Sequence, residues 1–219
     1  MKKISDSVFD IISGDEIALE AIRMGILNLS AYAKRIQRQI SQNTYKSVSV
    51  SAIVTSLSRM RNKLLSVAPL RPTVIVKDLS IKSPLIEISY EKTNENVYLA
   101  SKLVASSFHA AGFFTITQGI GEISLIVSQE LKNAILKHFH TKPKGLYDRL
   151  VAVTLRFNEK EYIEVPNMIY ALVATLEAKR INIIEVVSTF TEISFIVREK
   201  DMKETVDAFH GFFPQLPSE

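Results

Sequence analysis

The carboxy-terminal part of the chain contains an internal repeat, and no other feature restricts the fold as strongly. The segment Gly121–Ser128 (GEISLIVS) recurs as Thr191–Arg198 (TEISFIVR), with five of eight residues identical and an offset of 70 residues. The same offset aligns Phe114 with Ile184, so the similarity extends into the preceding residues. Such a repeat indicates that one supersecondary unit is used twice.

Each copy shows the same succession of apolar patterns. An alternating run with a period of two, typical of a half-buried strand, opens both copies, and a run with helical spacing follows it. The strand runs are Ile86, Ile88 and Tyr90 in the first copy, and Val151, Val153, Leu155 and Phe157 in the second. The helical runs are Leu99, Leu103 and Ala110, and then Ile169, Leu172, Val173, Leu176 and Ile181.

Two short strands and a second helix complete each copy, and tight hairpins are predicted between the strands. The predicted strands span 113–118 and 121–127 in the first copy, and 183–188 and 191–197 in the second. The second helices are predicted near 129–139 and 200–210. The repeated order β-α-β-β-α predicts an α+β fold in which helices cover one face of an antiparallel sheet, the ferredoxin-like arrangement.

Three segments of the second copy resemble a known family. They are Val165–Met168 (VPNM), Lys179–Ile184 (KRINII) and Ser188–Val197 (STFTEISFIV), and they resemble the paired ACT domains of the aspartokinase regulatory region. The resemblance covers residues 80–212 and implies two βαββαβ modules that sense small molecules. Two departures stand out: Asn167 replaces the family's glycine, and the first copy has no equivalent of Pro166.

The resemblance also implies a domain organisation. Residues 71–141 are expected to form the first module and residues 142–219 the second, after a basic helical domain over residues 1–70. The second copy ends without a sixth strand, and in aspartokinase-like pairs that strand comes from before the first repeat. The β-branched, apolar segment Thr73–Asp78 (TVIVKD) is therefore expected to pair into the second module.

In ACT-like pairs, amino-acid effectors bind where two modules meet, on the loop before the first helix and on the following strand. The free N–H groups of a helix amino terminus favour a ligand carboxylate at such a loop. The candidates in the second copy are Glu164, Val165, Pro166, Asn167, Met168, Asn182, Ile183, Ser188 and Thr189, and those in the first copy are Thr93, Asn94, Glu95, Asn96, Gln118 and Gly119. The alternative is that the modules bind no ligand and serve only to dimerise.

The amino-terminal region is basic and helical. Residues 1–72 carry eleven Lys or Arg and five Asp or Glu, a net charge of +6 within a chain total of +4, and no acidic residue occurs over 21–77. Three helices are predicted there. The first begins at a Ser13–Glu16 capping box, the second begins near Asn28 with Ser30 as its cap, and the third spans 49–64.

The last of these helices has a polar and basic open face, which is compatible with a helix-turn-helix that enters the major groove of duplex DNA. The nucleic-acid candidates are Lys34, Arg35, Arg38, Lys46, Ser51, Thr55, Arg59, Asn62 and Lys63. The alternative is a protein-interaction domain, because basic faces are often only solvated. The chain is then a regulatory or scaffold subunit that binds a partner enzyme and no nucleic acid.

The sequence favours no catalytic chemistry. The chain has no cysteine, no HExxH motif, no phosphate-binding glycine loop and no opening of a kinase catalytic domain, so we expect no enzyme, no cofactor and no metal site. No membrane segment is expected, and we expect a cytoplasmic homodimer. The sequence thus predicts an amino-acid-sensing regulatory protein, with DNA or a partner enzyme as its target.

Overall fold

The structure is a computed structural model that describes residues 2–65, 69, 71–105 and 112–213, without the side chains of residues 61, 105 and 160–162. The chain divides into two compact units. A helical unit comprises Met1–Pro72 together with Pro166–Ala171, and a sheet unit comprises Thr73–Val165 together with Leu172–Glu219.

Four helices are described in the helical unit before residue 72, where the sequence predicts three. They are α1 (Ile4–Ser13), α2 (Glu16–Arg23), α3 (Leu29–Thr44) and α4 (Val50–Leu65). The prediction missed α1, although Ile4, Val8 and Ile12 follow a helical spacing and the last two are fully buried.

Two predicted helix caps are wrong. Ser13 is the last residue of α1, and α2 is capped by Asp15, whose carboxylate accepts a hydrogen bond of 3.1 Å from the Ala18 N–H. Helix α3 is capped by Asn28, whose side-chain oxygen accepts from the Ala31 N–H at 3.0 Å, and not by Ser30. Both side chains satisfy a helix N–H group that has no intrahelical partner.

The four helices pack around one apolar core. Its buried members come from all four helices and include Val8, Ile12, Leu19, Ile22, Ile36, Ile40, Ile53, Leu57 and Leu64. A partly buried polar contact lies beside this core, where the Tyr32 hydroxyl donates to the Asp15 carboxylate at 3.1 Å. Burial and the nearby Asp15 charge raise the pKa of Tyr32 above its usual range.

The repeat lies in the sheet unit, except that residues 166–171 of the second copy belong to the helical unit. The first copy consists of β1 (Asp78–Glu91), α5 (Asn94–Ala105), β2 (Phe114–Gln118), β3 (Glu122–Ser128) and α6 (Lys132–His138). The second consists of β4 (Gly145–Arg156), α7 (Glu159–Glu164), α8 (Met168–Ala178), β5 (Ile183–Ser188), β6 (Glu192–Arg198) and α9 (Met202–Phe209). Short 3-10 turns, Gln129–Leu131 and Glu199–Asp201, precede α6 and α9, and a third, His210–Phe212, follows α9.

All six strands form one antiparallel sheet in the order β2-β3-β1-β4-β6-β5. The two copies meet at β1 and β4, where Leu85 pairs with Leu150. The fold is therefore a mixed α+β one, with amino-terminal helices and an antiparallel sheet that is compatible with ACT-like modules.

The segment before β1 contacts the residues of the second copy. Of the predicted strand 73–78, only Asp78 lies in a strand, and residues 78–82 of β1 pair with residues 152–156 of β4. Upstream, the Val76 N–H donates to the Phe212 carbonyl at 3.0 Å and the Lys77 N–H donates to the Arg156 carbonyl at 2.8 Å.

One face of the sheet packs against helices. In the first copy this face holds Ile86, Ile88, Tyr90, Ile123, Leu125 and Val127, which pack with Leu103, Ile135 and Phe139. In the second copy, the rings of Phe195 and Phe209 lie 5.2 Å apart. The prediction that Ile169 faces inward is wrong, because Ile169 is half-exposed whereas Met168 and Leu172 are buried. Ala110 lies outside the described residues.

The opposite face, called the second face below, is also buried. Its apolar cluster contains Leu85, Ile126, Leu150, Ala152 and Ile196. The Thr117 hydroxyl of edge strand β2 donates to the Glu185 carboxylate of edge strand β5 at 3.2 Å. The two edges of the sheet therefore approach each other across the second face, and the sheet curls around this cluster.

Candidate functional site

The loop before α8 contains a residue in the left-handed backbone region. Asn167 has a φ of +66°, in the left-handed region that favours glycine. Asparagine is one of the non-glycine residues that best tolerate this region, so the position does not require the family's glycine. Its side-chain amide donates to the Pro69 carbonyl at 3.1 Å. Glu164, Pro166 and Asn167 are exposed, Val165 is half-buried, and Met168 is buried.

The other candidates of the second copy lie at opposite ends of β5. Asn182 precedes this strand and Ile183 begins it, whereas Ser188 ends it and Thr189 follows it. Phe157, which follows β4, donates its N–H to the Thr191 carbonyl at 2.8 Å. The chain segment leading to Glu164 thus starts at the same end of the sheet as Ser188 and Thr189, about 17 Å from the start of the six-residue strand β5.

The candidates of the first copy all lie at one end of the sheet. Lys92, at the end of β1, donates its backbone N–H to the Gly121 carbonyl at 3.0 Å and its ammonium to the Gly119 carbonyl at 2.8 Å. The loop of Thr93, Asn94, Glu95 and Asn96 is therefore beside Gln118 and Gly119. Because β1 and β4 are antiparallel, the candidate loops of the two copies lie at opposite ends of the sheet.

Asn96 stabilises this loop through hydrogen bonds. It is buried, its side-chain amide donates to the Glu91 carbonyl at 2.8 Å, and its side-chain oxygen accepts from the Thr141 hydroxyl at 3.1 Å. Its backbone N–H donates to the Thr93 hydroxyl at 3.1 Å. Asn94, Glu95, Gln118 and Gly119 remain exposed.

The second face holds a polar cluster that the sequence reasoning missed. Glu87 is only 8% exposed, its Oε1 accepts from the Ser89 hydroxyl at 3.3 Å, and its Oε2 has no described partner. Burial first, and then the Glu185 charge, raise the pKa of the Glu87 carboxyl, and the Ser89 hydrogen bond opposes them. Because side chains alternate along β1, Glu87 was expected on the face opposite Ile86. In a half-buried strand that face is exposed to solvent, so the sequence did not predict a buried carboxylate there.

All nine nucleic-acid candidates are exposed. Ser51, Thr55, Arg59 and Asn62 lie three or four residues apart on α4 and therefore share one face of this helix. Arg38 and Lys46 line a shallow surface depression of about 470 Å³ at the end of α3, together with the exposed Tyr45.

Two of the basic candidates have partners within the helical unit. The Arg35 guanidinium is 3.6 Å from the Asp15 carboxylate, which offsets its charge. The Lys63 ammonium lies 3.9 Å from the centroid of the Phe9 ring. The connection between α3 and α4, residues 45–49, is longer than the turn of about three or four residues that joins a helix-turn-helix pair.

Within residues 2–65, 69, 71–105 and 112–213, no three His, Cys, Asp or Glu side chains are grouped so that they could hold a metal ion. In that part of the chain, no helix combines the length and the apolar character needed to cross a membrane. The Nε2 atom of His138 lies 2.8 Å from the carbonyl oxygen of Leu99.

Comparisons with known proteins identify the fold. No protein-family model matches the chain, and no curated protein matches it. Among solved structures, Clostridium acetobutylicum aspartate kinase is similar with a TM-score of 0.54 and 13% identity, over 66% of this chain and 36% of the enzyme. The regulatory subunit of Thermus thermophilus aspartate kinase is similar with a TM-score of 0.51 and 15% identity, over 64% of this chain and 99% of the subunit.

These similarities confirm the resemblance predicted from the repeat. The matched part of the chain has the fold of the ACT-type regulatory region of aspartate kinases. The chain spans about a third of the length of the Clostridium enzyme but nearly all of the Thermus regulatory subunit. At these identities the likeness shows the fold alone.

Proposed function

We propose that the chain is a non-catalytic regulatory protein in which an ACT-like amino-acid sensor controls a basic, DNA-binding helical unit. The observation that carries this proposal is the match to nearly the whole of an aspartate kinase regulatory subunit, combined with an additional helical unit of net charge +6 over residues 1–72. The protein acts in the cytoplasm as a homodimer, because two-fold assembly is the commonest arrangement of soluble oligomers.

The effector site is assigned to the loop before α8. Asn167 keeps a left-handed backbone there, and the loop leads into an 11-residue helix whose first N–H groups favour an anion. An amino acid bound through its carboxylate suits this chemistry. The loop of residues 93–96 is the weaker candidate, because Asn96 and Thr93 already bond within the first copy.

The DNA-binding surface is assigned to the exposed face of α4, with Arg38 and Lys46 as phosphate contacts. Hydroxyl and amide side chains on that face suit base edges, and the absence of acidic residues over 21–77 removes repulsion of phosphates. An effector that shifts how two subunits sit then changes the spacing of the two α4 helices. This is the proposed coupling between sensor and DNA.

Two measurements on the full chain test this function. Thermal unfolding is recorded with each of the twenty amino acids, where a ligand at 100 times its Kd stabilises by about 2.7 kcal/mol. Binding to duplex DNA is recorded over a salt series, with and without that ligand, and we expect affinity to fall steeply with salt and to change about 5-fold or more with the effector.

Matched variants sharpen the DNA test. Arg59→Ala is expected to lower DNA affinity and, if it contacts a phosphate, to reduce the slope of log affinity against log salt by about one. Lys82→Ala, which removes an exposed cation from the sheet unit, is the control and leaves both quantities unchanged. Equal effects of the two substitutions contradict the assignment of α4.

A second candidate function has one observation in its favour. Ile17, Met24 and Ile26 are all more than 60% exposed on the helical unit, which suits a protein-binding surface better than a DNA-binding one. In that case the chain is a regulatory or scaffold subunit of a partner enzyme. It then shows no DNA binding at any salt concentration, while an amino-acid effector still raises its Tm.

A further inference from the structure

The polar cluster of the second face is used by neither part of the proposed function. It contains two carboxylates, Glu87 of β1 and Glu185 of β5, and three hydroxyls. Ser124 and Ser89 are 2.8 Å apart, Ser89 donates to Glu87 at 3.3 Å, and Thr117 donates to Glu185 at 3.2 Å. All five side chains are contributed by strands of the curled sheet, so their positions are fixed by the strand pairing.

The hydroxyl donors do not satisfy this cluster. Ser124 and Ser89 form a chain that ends on Glu87 Oε1, and Thr117 is committed to Glu185. The Oε2 atom of Glu87 is buried and receives no hydrogen bond from any described group. An ionised carboxylate that is buried without a partner raises the free energy of the folded state. A positively charged partner at this atom therefore stabilises the fold.

The repeat shows that the fold does not require these carboxylates. Glu87 pairs with Ile126 across the strands, and the equivalent position of the second copy, Ala152, pairs with Ile196 in the same way. Ala152 is fully buried, so an apolar residue serves the packing there. By the offset of 70, the position equivalent to Glu185 is Thr115. Each copy therefore contributes one acid to the second face, and neither acid has an acidic counterpart in the other copy.

We propose that Glu87 and Glu185 bind a hard divalent cation, with Ca²⁺ as the preferred ion, on the second face of the sheet. The site offers only carboxylate and hydroxyl oxygens, which are the donors that Ca²⁺ takes in irregular coordination, whereas Mg²⁺ requires a nearly ideal octahedron. Glu185 and Thr117 are half-buried, so solvent reaches the site from their side and water completes the coordination. The bound ion links β1 of the first copy to β5 of the second.

Thermal unfolding of the metal-free full chain tests this site. The protein is treated with EDTA, desalted at pH 8, and unfolded in CaCl₂, MgCl₂ or NaCl at matched ionic strength, without amino acids or DNA. We expect Ca²⁺ at about 100 times its Kd to raise the Tm by about 5 °C, and Mg²⁺ to raise it less. Because no effector is present, failure of this test leaves the proposed sensor function unaffected.

Glu87→Gln is the decisive variant, and Glu91→Gln is its control on the same face of the same strand. Glu91 is exposed, so its amide retains the full Ca²⁺ response, whereas Glu87→Gln loses it. The amide keeps the shape of the side chain and removes a buried charge, and we expect it to fold. If it does not, Glu185→Gln at the more exposed partner gives the same readout.

Three results overturn the proposal. The first is a Tm that responds to neither divalent cation, and the second is an equal Ca²⁺ response in the wild type and Glu87→Gln. The third is a wild-type Tm that falls as the pH rises and is unchanged by either cation. This outcome means that the two carboxyls share a proton and bind no metal.

Discussion

Removal of the Tyr90 hydroxyl is expected to stabilise the protein. The Tyr90 side chain is fully buried, its ring stacks on Phe139 at 4.0 Å, and its hydroxyl has no described hydrogen-bond partner. A buried polar group without a partner costs about 1–3 kcal/mol, and loss of its van der Waals contacts offsets part of the gain. We expect Tyr90→Phe to raise the free energy of unfolding by about 1 kcal/mol.

The same substitution changes the alkaline limit of stability. Burial raises the pKa of Tyr90 to about 12, above the ordinary value of 10.0. Because burial disfavours the ionised phenol in the folded state only, the free energy of unfolding does not depend on this group below pH 10 and falls as the pH rises towards 12. Tyr90→Phe removes this titration, so the stability of the variant is expected to decline less between those two pH values.

Urea unfolding of the wild type and two variants provides the measurement. Tyr32→Phe is the matched control, because the Tyr32 hydroxyl donates to Asp15 at 3.1 Å and its removal is expected to cost about 1 kcal/mol. The two Tyr-to-Phe changes thus have opposite signs. A loss of 1 kcal/mol or more in Tyr90→Phe refutes the reasoning, because it means that the hydroxyl has a favourable partner.

Three further pairs of substitutions test separate features of the fold by the same unfolding assay. Asp15→Ala is expected to cost about 2 kcal/mol, because it removes both a helix cap and the partly buried acceptor of the Tyr32 hydroxyl, whereas Asp6→Ala at an exposed position of α1 costs little. Ile126→Ala is expected to cost about 3 kcal/mol, and a loss no larger than that of the exposed hairpin residue in Ile120→Ala contradicts the burial of the second face. Asn167→Gly is expected to stay within about 0.5 kcal/mol of the wild type and Asn167→Val to lose about 1–2 kcal/mol, and equal stabilities of the two argue against the left-handed backbone.

The repeated strands could be predicted because their pattern is local. The predicted bounds of the four hairpin strands differ from the observed ones by one residue at most, since a short apolar run that ends at a tight two-residue link is a local signal. The short helix α7 was not predicted, because a six-residue segment has too few turns to show a periodic pattern.

The polar cluster of the second face depends on tertiary structure and was not predictable. Glu87 and Ser89 alternate with Ile86 and Ile88, and such alternation is normally a sign of a solvated face. Only the curl of the sheet, in which two edge strands separated by four others approach each other, buries this face. No spacing within one strand reports a contact between residues as distant in sequence as Thr117 and Glu185.

Some features occur in both copies of the repeat and others in only one. Those that occur in both are the ones that the fold itself requires. The hydroxyl pair Ser89–Ser124 recurs in the second copy as Thr154–Ser194, at 2.8 and 2.7 Å, so it belongs to the packing of the module. The buried Glu87 does not recur, and neither does the left-handed backbone of Asn167. A strained or buried polar residue that is absent from one copy is not required by the fold, which makes it a candidate for a functional role. The proposed cation site and the proposed effector loop both rest on residues of this second kind.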